Sequence, residues 1–118
     1  MTKLYVIAYI HGFMDKLQRA LKLIEADGGS NVPIVFLGDY IDRGPESAQV
    51  IDFLIAAKEQ GLPWHMIKGN HDAYLEDFLN VGTLYSSRTR PDLSWLDPRL
   101  GGAATLASYG VHIPDGEP

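Results

Sequence analysis

The feature that most constrains the fold is a unit that occurs three times in succession: an apolar run, a polar turn and an amphipathic segment. Short apolar runs of β-favouring residues predict strands, and apolar residues at helical spacing predict helices. Successive strand-turn-helix units predict a mostly parallel α/β sheet, with all three turns at its carboxyl edge. The predicted strands are residues 4–10, 33–37 and 64–67, and the predicted helices run from Phe13 to Asp27, from about 46 to 60 and from about 73 to 80.

The second turn, residues 38–44 (GDYIDRG), carries the densest chemistry in the chain. Asp39 could bind a hard cation, Asp42 could orient a base, and Arg43 could hold an anion. The glycines at both ends would let the backbone turn sharply. The run before it, residues 34–37, predicts a strand buried on both faces. The alternative is a solvated loop that contains an Asp-Arg pair.

The first and third turns add candidate side chains. His11 ends the first apolar run, and Asn70, His71 and Asp72 follow the third. Each has an ordinary interpretation on its own: a hydrogen-bonded histidine at a strand end, a cap or turn residue, or an acid that opposes a helix dipole. Their placement at the same edge of one sheet is what favours a functional site.

Composition narrows the classes of function. The 118 residues suit a single domain, and 46% hydrophobic residues are enough for a core. An excess of 15 Asp and Glu over 10 Lys and Arg argues against nucleic acid or an anionic membrane as the main partner. Without cysteine, a metal would need oxygen and nitrogen ligands. No apolar run has membrane-spanning length and no signal peptide is visible, so we expect a cytoplasmic protein.

The chain after Val81 is less regular. Residues 86–98 are polar and contain proline, which predicts a long loop over the surface with Trp95 embedded in it. Residues 103–109 favour a short helix or an irregular piece, and the tail at 113–118 looks like a connection cut in the middle. A sheet of three units leaves an edge or a face uncovered. We therefore expect a homodimer or a segment-exchanged oligomer.

Three motifs together resemble the calcineurin-like metallophosphoesterases, specifically the serine/threonine protein phosphatase branch with its phage and bacterial members. They are residues 10–12 (IHG), 38–44 and 69–72 (GNHD), in the family's order and at its rough spacing. Residues 101–110 (GGAATLASYG) also resemble a stretch of bacterial members and of symmetrical diadenosine tetraphosphatases. The resemblance covers nearly all of this chain but about half of a family domain. It implies half of an αββα sandwich, with residues 1–118 as the N-terminal part of one phosphoesterase domain.

The resemblance also implies roles for these residues. It implies two divalent metal ions, manganese first and iron, zinc or magnesium as alternatives, with His11, Asp39 and Asn70 among their ligands. It makes His71 the general acid, oriented by Asp42, and places Arg43, Asn70 and His71 on the substrate phosphate. Two metal ions can share a carboxylate and clamp a phosphate for in-line attack. An Asp partner can fix the tautomer of a histidine that protonates a leaving group.

The chain departs from the family pattern at Tyr9, where the family has an aspartate ligand of the first metal. A phenol is a poor ligand for Mn²⁺, Zn²⁺ or Mg²⁺, so the simplest consequence is a damaged first metal site. The family also takes two further histidine ligands, and usually a second phosphate-binding arginine, from the half that follows.

Four other side chains are weaker candidates. His112 could be one of the missing ligands, but its position favours a loop before that ligand. His65 lies inside the third predicted strand, which favours a packed or edge histidine. Arg88 and Arg90 could face the substrate, but a solvated loop is the favoured interpretation.

The sequence therefore predicts a two-metal phosphomonoesterase. The first substrate class is a phosphoserine or phosphothreonine protein, and a dinucleotide polyphosphate is the second. The alternative is a catalytically degenerate module that binds a partner through its unfinished sheet, which Tyr9 and the missing half favour. A nucleotide-binding βαβ protein is disfavoured because none of the turns forms a phosphate-binding glycine loop.

Overall fold

The fold is a small parallel sheet with helices that follow each strand. A computed structural model describes residues 4–28, 31–85 and 93–112, and all statements of structure refer to these residues. The elements in chain order are β1 (Tyr5–Ile7), α1 (Met14–Ala26), β2 (Ile34–Phe36), α2 (Ser47–Glu59), β3 (Trp64–Met66), α3 (Asn70–Val81) and α4 (Gly102–Ser108).

The three strands are parallel and lie in the order β1-β2-β3. Ile34 is the partner of Tyr5 on one side and of Trp64 on the other. The carboxyl ends of the strands therefore lie at one edge of the sheet, and the polar turns follow them there. The predicted parallel α/β sheet is confirmed.

The two faces of the sheet differ in burial because side chains alternate along a strand. Ile34 and Phe36 point into the core, where Leu17 of α1 and Leu54 of α2 are also buried. Leu37 is 45% exposed, so the prediction that residues 34–37 are buried on both faces is wrong for this chain. The sequence predicted an uncovered edge or face, and the structure shows an uncovered face. Four apolar residues on the side of the sheet away from this core are exposed: Leu4, Val6, Leu37 and Ile67.

The helix α3 begins at Asn70, three residues before its predicted start. The reason is a local cap: Gly69 is extended, and its N–H donates to the Asp72 carboxylate at 2.8 Å. A carboxylate that binds a free N–H at a helix start stabilises the first turn. Asn70, His71 and Asp72 are therefore held rigidly in a helical turn.

The prediction that residues 86–98 form a loop over the surface is wrong for the part that can be described, although residues 86–92 lie outside the described ranges. Residues 93–98 form no regular element, but Trp95 is completely buried and packs on Phe78. Gly102 makes this possible, since a Cβ there would lie 2.5 Å from the indole ring. Residues 103–109 were predicted to form a short helix or an irregular piece, and the structure shows the helix, α4.

Within the described ranges, none of the helices combines the length and apolar character that crossing a membrane requires. The tail at 113–118 lies outside the described ranges.

Candidate active site

The backbone of the first two turns is held in an unusual conformation. Tyr9, His11, Asp39, Asp42 and Arg43 all have φ between +45° and +78°. This left-handed region costs an L-amino acid about 1–2 kcal/mol, so it persists only where surrounding contacts impose it. In the described part of the chain, no other residue besides glycine has a positive φ.

Backbone hydrogen bonds between the two turns supply those contacts. The N–H of His11 donates to the carbonyl of Asp39 at 2.9 Å, and the N–H of Gly44 donates to the carbonyl of His11 at 2.9 Å. Gly44 must be glycine, since a Cβ there would lie 2.4 Å from that same carbonyl oxygen. The first turn is thus fastened directly onto the second.

Asp72 fastens the third turn to the second. Its carboxylate accepts from the N–H of Asp39 at 2.7 Å and from that of Tyr40 at 3.1 Å, besides capping Gly69. In return, Asp39 accepts from the N–H of His71 at 2.9 Å. Burial raises the pKa of the Asp72 carboxyl above its usual value, although these hydrogen bonds oppose the shift. From the sequence, Asp72 was a candidate at the sheet edge whose ordinary interpretation is an acid that opposes the helix dipole, and its hydrogen bonds to the second turn were not predicted.

The predicted pairing of Asp42 with His71 is present. An oxygen of the fully buried Asp42 carboxylate lies 2.8 Å from His71 Nδ1. The same oxygen accepts from the Trp95 indole N–H at 2.8 Å, and the other accepts from the Thr105 hydroxyl at 2.7 Å. On its other side the His71 ring meets the His11 ring edge-on, with 4.7 Å between centroids.

His11 is oriented as a ligand histidine would be. Its Nδ1 lies 2.9 Å from the carbonyl oxygen of Ile41, which can only accept, so Nδ1 carries the hydrogen and Nε2 keeps its lone pair. Tyr9 lies nearly parallel to this ring, with 6.4 Å between centroids, and is 73% exposed. The phenol thus lies at the rim of the site.

Most of the predicted site residues line one cavity of about 290 Å³. Asp42 does not line it but lies buried behind His71. His65 and His112 are both exposed and do not line it, while Arg88 and Arg90 lie outside the described ranges. The lining residues are Tyr9, His11, Asp39, Arg43, Asn70, His71, Tyr74 and Leu100.

The donors at the cavity fit part of a divalent metal centre. His11 offers an imidazole nitrogen, Asp39 a carboxylate and Asn70 an amide oxygen, which divalent ions accept. However, no group of three or more His, Asp or Glu side chains in the described residues is placed to hold a metal ion. These donors alone do not complete a binuclear centre.

Three residues of the site were not predicted from the sequence: Trp95, Thr105 and Ser47. Thr105 lies in the stretch at 101–110 that resembled bacterial family members, but no chemistry was assigned to it. Ser47 opens α2 and accepts from the N–H of Asp42 at 3.1 Å. The one sequence signal that could have indicated Trp95 was a large apolar side chain within an otherwise polar segment.

A parallel sheet with a histidine-aspartate pair, a second carboxylate and an arginine at its carboxyl edge has the architecture of a phosphoesterase. This chain belongs to the calcineurin-like phosphoesterase family, whose sequence model matches residues 2–114.

Its relatives include symmetrical bis(5'-nucleosyl)-tetraphosphatases from several bacteria. The protein from Coxiella burnetii (strain RSA 331) is 38% identical over 123 residues, which cover 92% of this chain and 40% of the relative. The protein from Buchnera aphidicola is 34% identical over 83 residues, 70% of this chain and 26% of the relative. The chain therefore spans well under half the length of these relatives.

Proposed function

We propose that residues 1–118 are the N-terminal part of a metal-dependent phosphoesterase domain with His71 as the general acid. The observation that carries this proposal is the 2.8 Å contact between the buried Asp42 carboxylate and His71 Nδ1. The Asp42 carboxylate accepts a hydrogen bond from Nδ1–H and holds the ring, so Nε2 is the nitrogen that faces the cavity. In its imidazolium form, with hydrogens on both nitrogens, His71 would donate the Nε2 proton to the leaving oxygen of a phosphate ester or anhydride.

The other cavity residues would bind the phosphate and the metal. Arg43 is exposed at the cavity and can hold phosphate oxygens, aided by the Asn70 amide. His11, Asp39 and Asn70 would supply part of the ligand set for manganese, with iron, zinc or magnesium as alternatives. Such ions, when bound, neutralise phosphate charge and lower the pKa of water.

The relatives favour a dinucleotide polyphosphate as the first substrate class. A phosphoserine or phosphothreonine protein is the second, supported by the resemblance of residues 38–44 and 69–72 to protein phosphatases. Cytoplasmic localisation remains part of this proposal.

The test is turnover by the purified chain with Mn²⁺. We expect hydrolysis of p-nitrophenyl phosphate with release of p-nitrophenol. We also expect faster hydrolysis of a symmetrical dinucleoside tetraphosphate than of a phosphoserine peptide. His71→Asn should lower kcat by about 10²-fold or more. His65→Asn, which changes an exposed histidine away from the cavity, should leave kcat unchanged. Absence of turnover in both the natural chain and Tyr9→Asp would contradict the proposal.

A second candidate is a non-catalytic module that pairs with another copy of itself. The exposed Val6, Leu37 and Ile67 on one sheet face and the incomplete donor set favour it. A dimer through this face, or by exchange of segments, would cover those side chains. Light scattering at micromolar concentration should then show a dimer that Val6→Lys converts to a monomer, and a monomeric natural chain would contradict it.

A further inference from the structure

The segment from Leu93 to Ser108 lies directly behind the second turn. The N–H of Arg43 donates to the carbonyl of Gly101 at 3.0 Å, and the N–H of Asp42 donates to the hydroxyl oxygen of Thr105 at 2.8 Å. Gly101 has φ +85°, and a Cβ there would lie 2.5 Å from the Arg43 nitrogen. Two neighbouring site residues are thus supported by a segment more than fifty positions away in sequence.

The directions of the hydrogen bonds around Asp42 can be assigned. Trp95 Nε1 can only donate, and its acceptor is one carboxylate oxygen of Asp42. The Thr105 hydroxyl gives its single hydrogen to the other carboxylate oxygen. The Ser47 hydroxyl, 3.1 Å from Thr105 Oγ1, must therefore donate to Thr105. Each hydroxyl hydrogen in this cluster has one acceptor.

This arrangement fixes the plane of the Asp42 carboxylate. The terminal torsion of an aspartate is broad and roughly two-fold, so packing alone restrains it weakly. One donor on each oxygen removes that freedom. Asp42, Trp95 and Thr105 are all completely buried, so water does not compete for these hydrogen bonds.

We propose that Trp95 and Thr105 are positioning residues of this site. They hold the Asp42 carboxylate in the plane that accepts the His71 Nδ1 hydrogen, which keeps Nε2 at the cavity. Neither side chain lines the cavity. The catalytic meaning of this inference rests on the proposed function, but the geometry it describes can be tested without turnover.

Four variants separate positioning from packing. Thr105→Val keeps the shape and removes the hydroxyl, whereas Thr105→Ser keeps the hydroxyl. Trp95→Phe removes the indole N–H. Trp64→Phe is the matched control, because Trp64 packs on Phe36 and Phe53 rather than on Asp42.

The first measurement is the tautomer of His71 by ¹⁵N NMR of histidine-labelled chain, at a pH where the ring is neutral. We expect the Nδ1–H form to dominate in the natural chain, in Thr105→Ser and in Trp64→Phe. Its ratio to the Nε2–H form should fall about tenfold in Thr105→Val and in Trp95→Phe, as expected when a hydrogen bond to a charged group is lost. If both ratios stay within about twofold of the natural chain, the two residues only fill the core and the proposal is wrong. Should Trp95→Phe not fold, the two Thr105 variants decide alone.

The second measurement is turnover of two aryl phosphates. Loss of an oriented general acid slows esters with poor leaving groups most, so kcat for phenyl phosphate should fall more than kcat for p-nitrophenyl phosphate, with KM unchanged. Equal falls for both substrates would count against positioning. A natural chain without turnover would count against the proposed function, while the NMR tautomer ratio would still decide the role of Trp95 and Thr105.

Discussion

Gly38 lies where the second and third turns touch, and Gly38→Ala tests how tightly the site is assembled. Its φ is +97°, and a Cβ there would lie 2.2 Å from the Gly69 nitrogen and 2.5 Å from the Gly69 Cα. These are backbone atoms, so no rotation of a side chain can relieve the contact. The two turns must move apart.

The cost follows from what that movement breaks. The left-handed φ costs alanine about 1 kcal/mol. Separation of the turns also weakens the hydrogen bonds from the N–H groups of Asp39 and Tyr40 to the Asp72 carboxylate, and each bond to a charged group contributes about 1.5 kcal/mol. The expected loss is about 4 kcal/mol, a large share of the roughly 5–15 kcal/mol that stabilises a typical domain.

The assay is urea unfolding followed by tryptophan fluorescence, with Gly61→Ala as the matched control. Gly61 has φ +78°, but a Cβ there would meet no atom within 4 Å. With a slope of about 1.5 kcal/mol per molar urea, the control should lower the midpoint by less than about 1 M and Gly38→Ala by more than about 2 M. Equal shifts would refute the reasoning, whereas complete loss of the Gly38→Ala transition would agree with it.

Three further predictions concern single side chains. Asp42→Asn places an amide among donors and should cost about 3 kcal/mol in the free energy of unfolding, whereas Asp52→Asn on the surface should cost almost nothing; similar costs would contradict the buried network. Tyr9→Asp should tighten Mn²⁺ binding by about tenfold or more in equilibrium dialysis because it adds a carboxylate, and Tyr9→Phe should not; no difference between them would show that Tyr9 is not the limiting defect. Arg99 lowers the pKa of the Asp97 carboxyl to about 2. The stabilisation that this gives is complete above the unfolded-state pKa of about 3.9 and is lost as the pH falls through about 2. The difference in free energy of unfolding between the natural chain and Asp97→Asn should therefore disappear near pH 2.

The order of elements could be predicted because the spacing of apolar residues is a local property of the chain. Strands at residues 33–37 and 64–67 and helices at 46–60 and 73–80 were recognisable, and their boundaries moved by at most a few residues. The displacement of three residues at the start of α3 depends on the Asp72 cap, a local contact that the sequence permits but does not require.

The gathering of His11, Asp39, Arg43, Asn70 and His71 could also be predicted. Parallel strands bring their carboxyl ends to one edge, so side chains in three separate turns meet there once the sheet is known. The burial of Asp42 could not be predicted in this way. It depends on Trp95 and Thr105, which are 53 and 63 positions away and come from a segment without strand periodicity.

The sequence by itself determined the parallel α/β sheet, the family and the set of polar side chains at the sheet edge, because periodicity and motif order are written along the chain. Only the tertiary structure decided which face of the sheet is open, that Trp95 is buried, and that Asp42 lies behind His71 with a donor on each carboxylate oxygen. Hydrogen bonds and burial between distant segments depend on how those segments meet in space. The local sequence at either end does not contain that information.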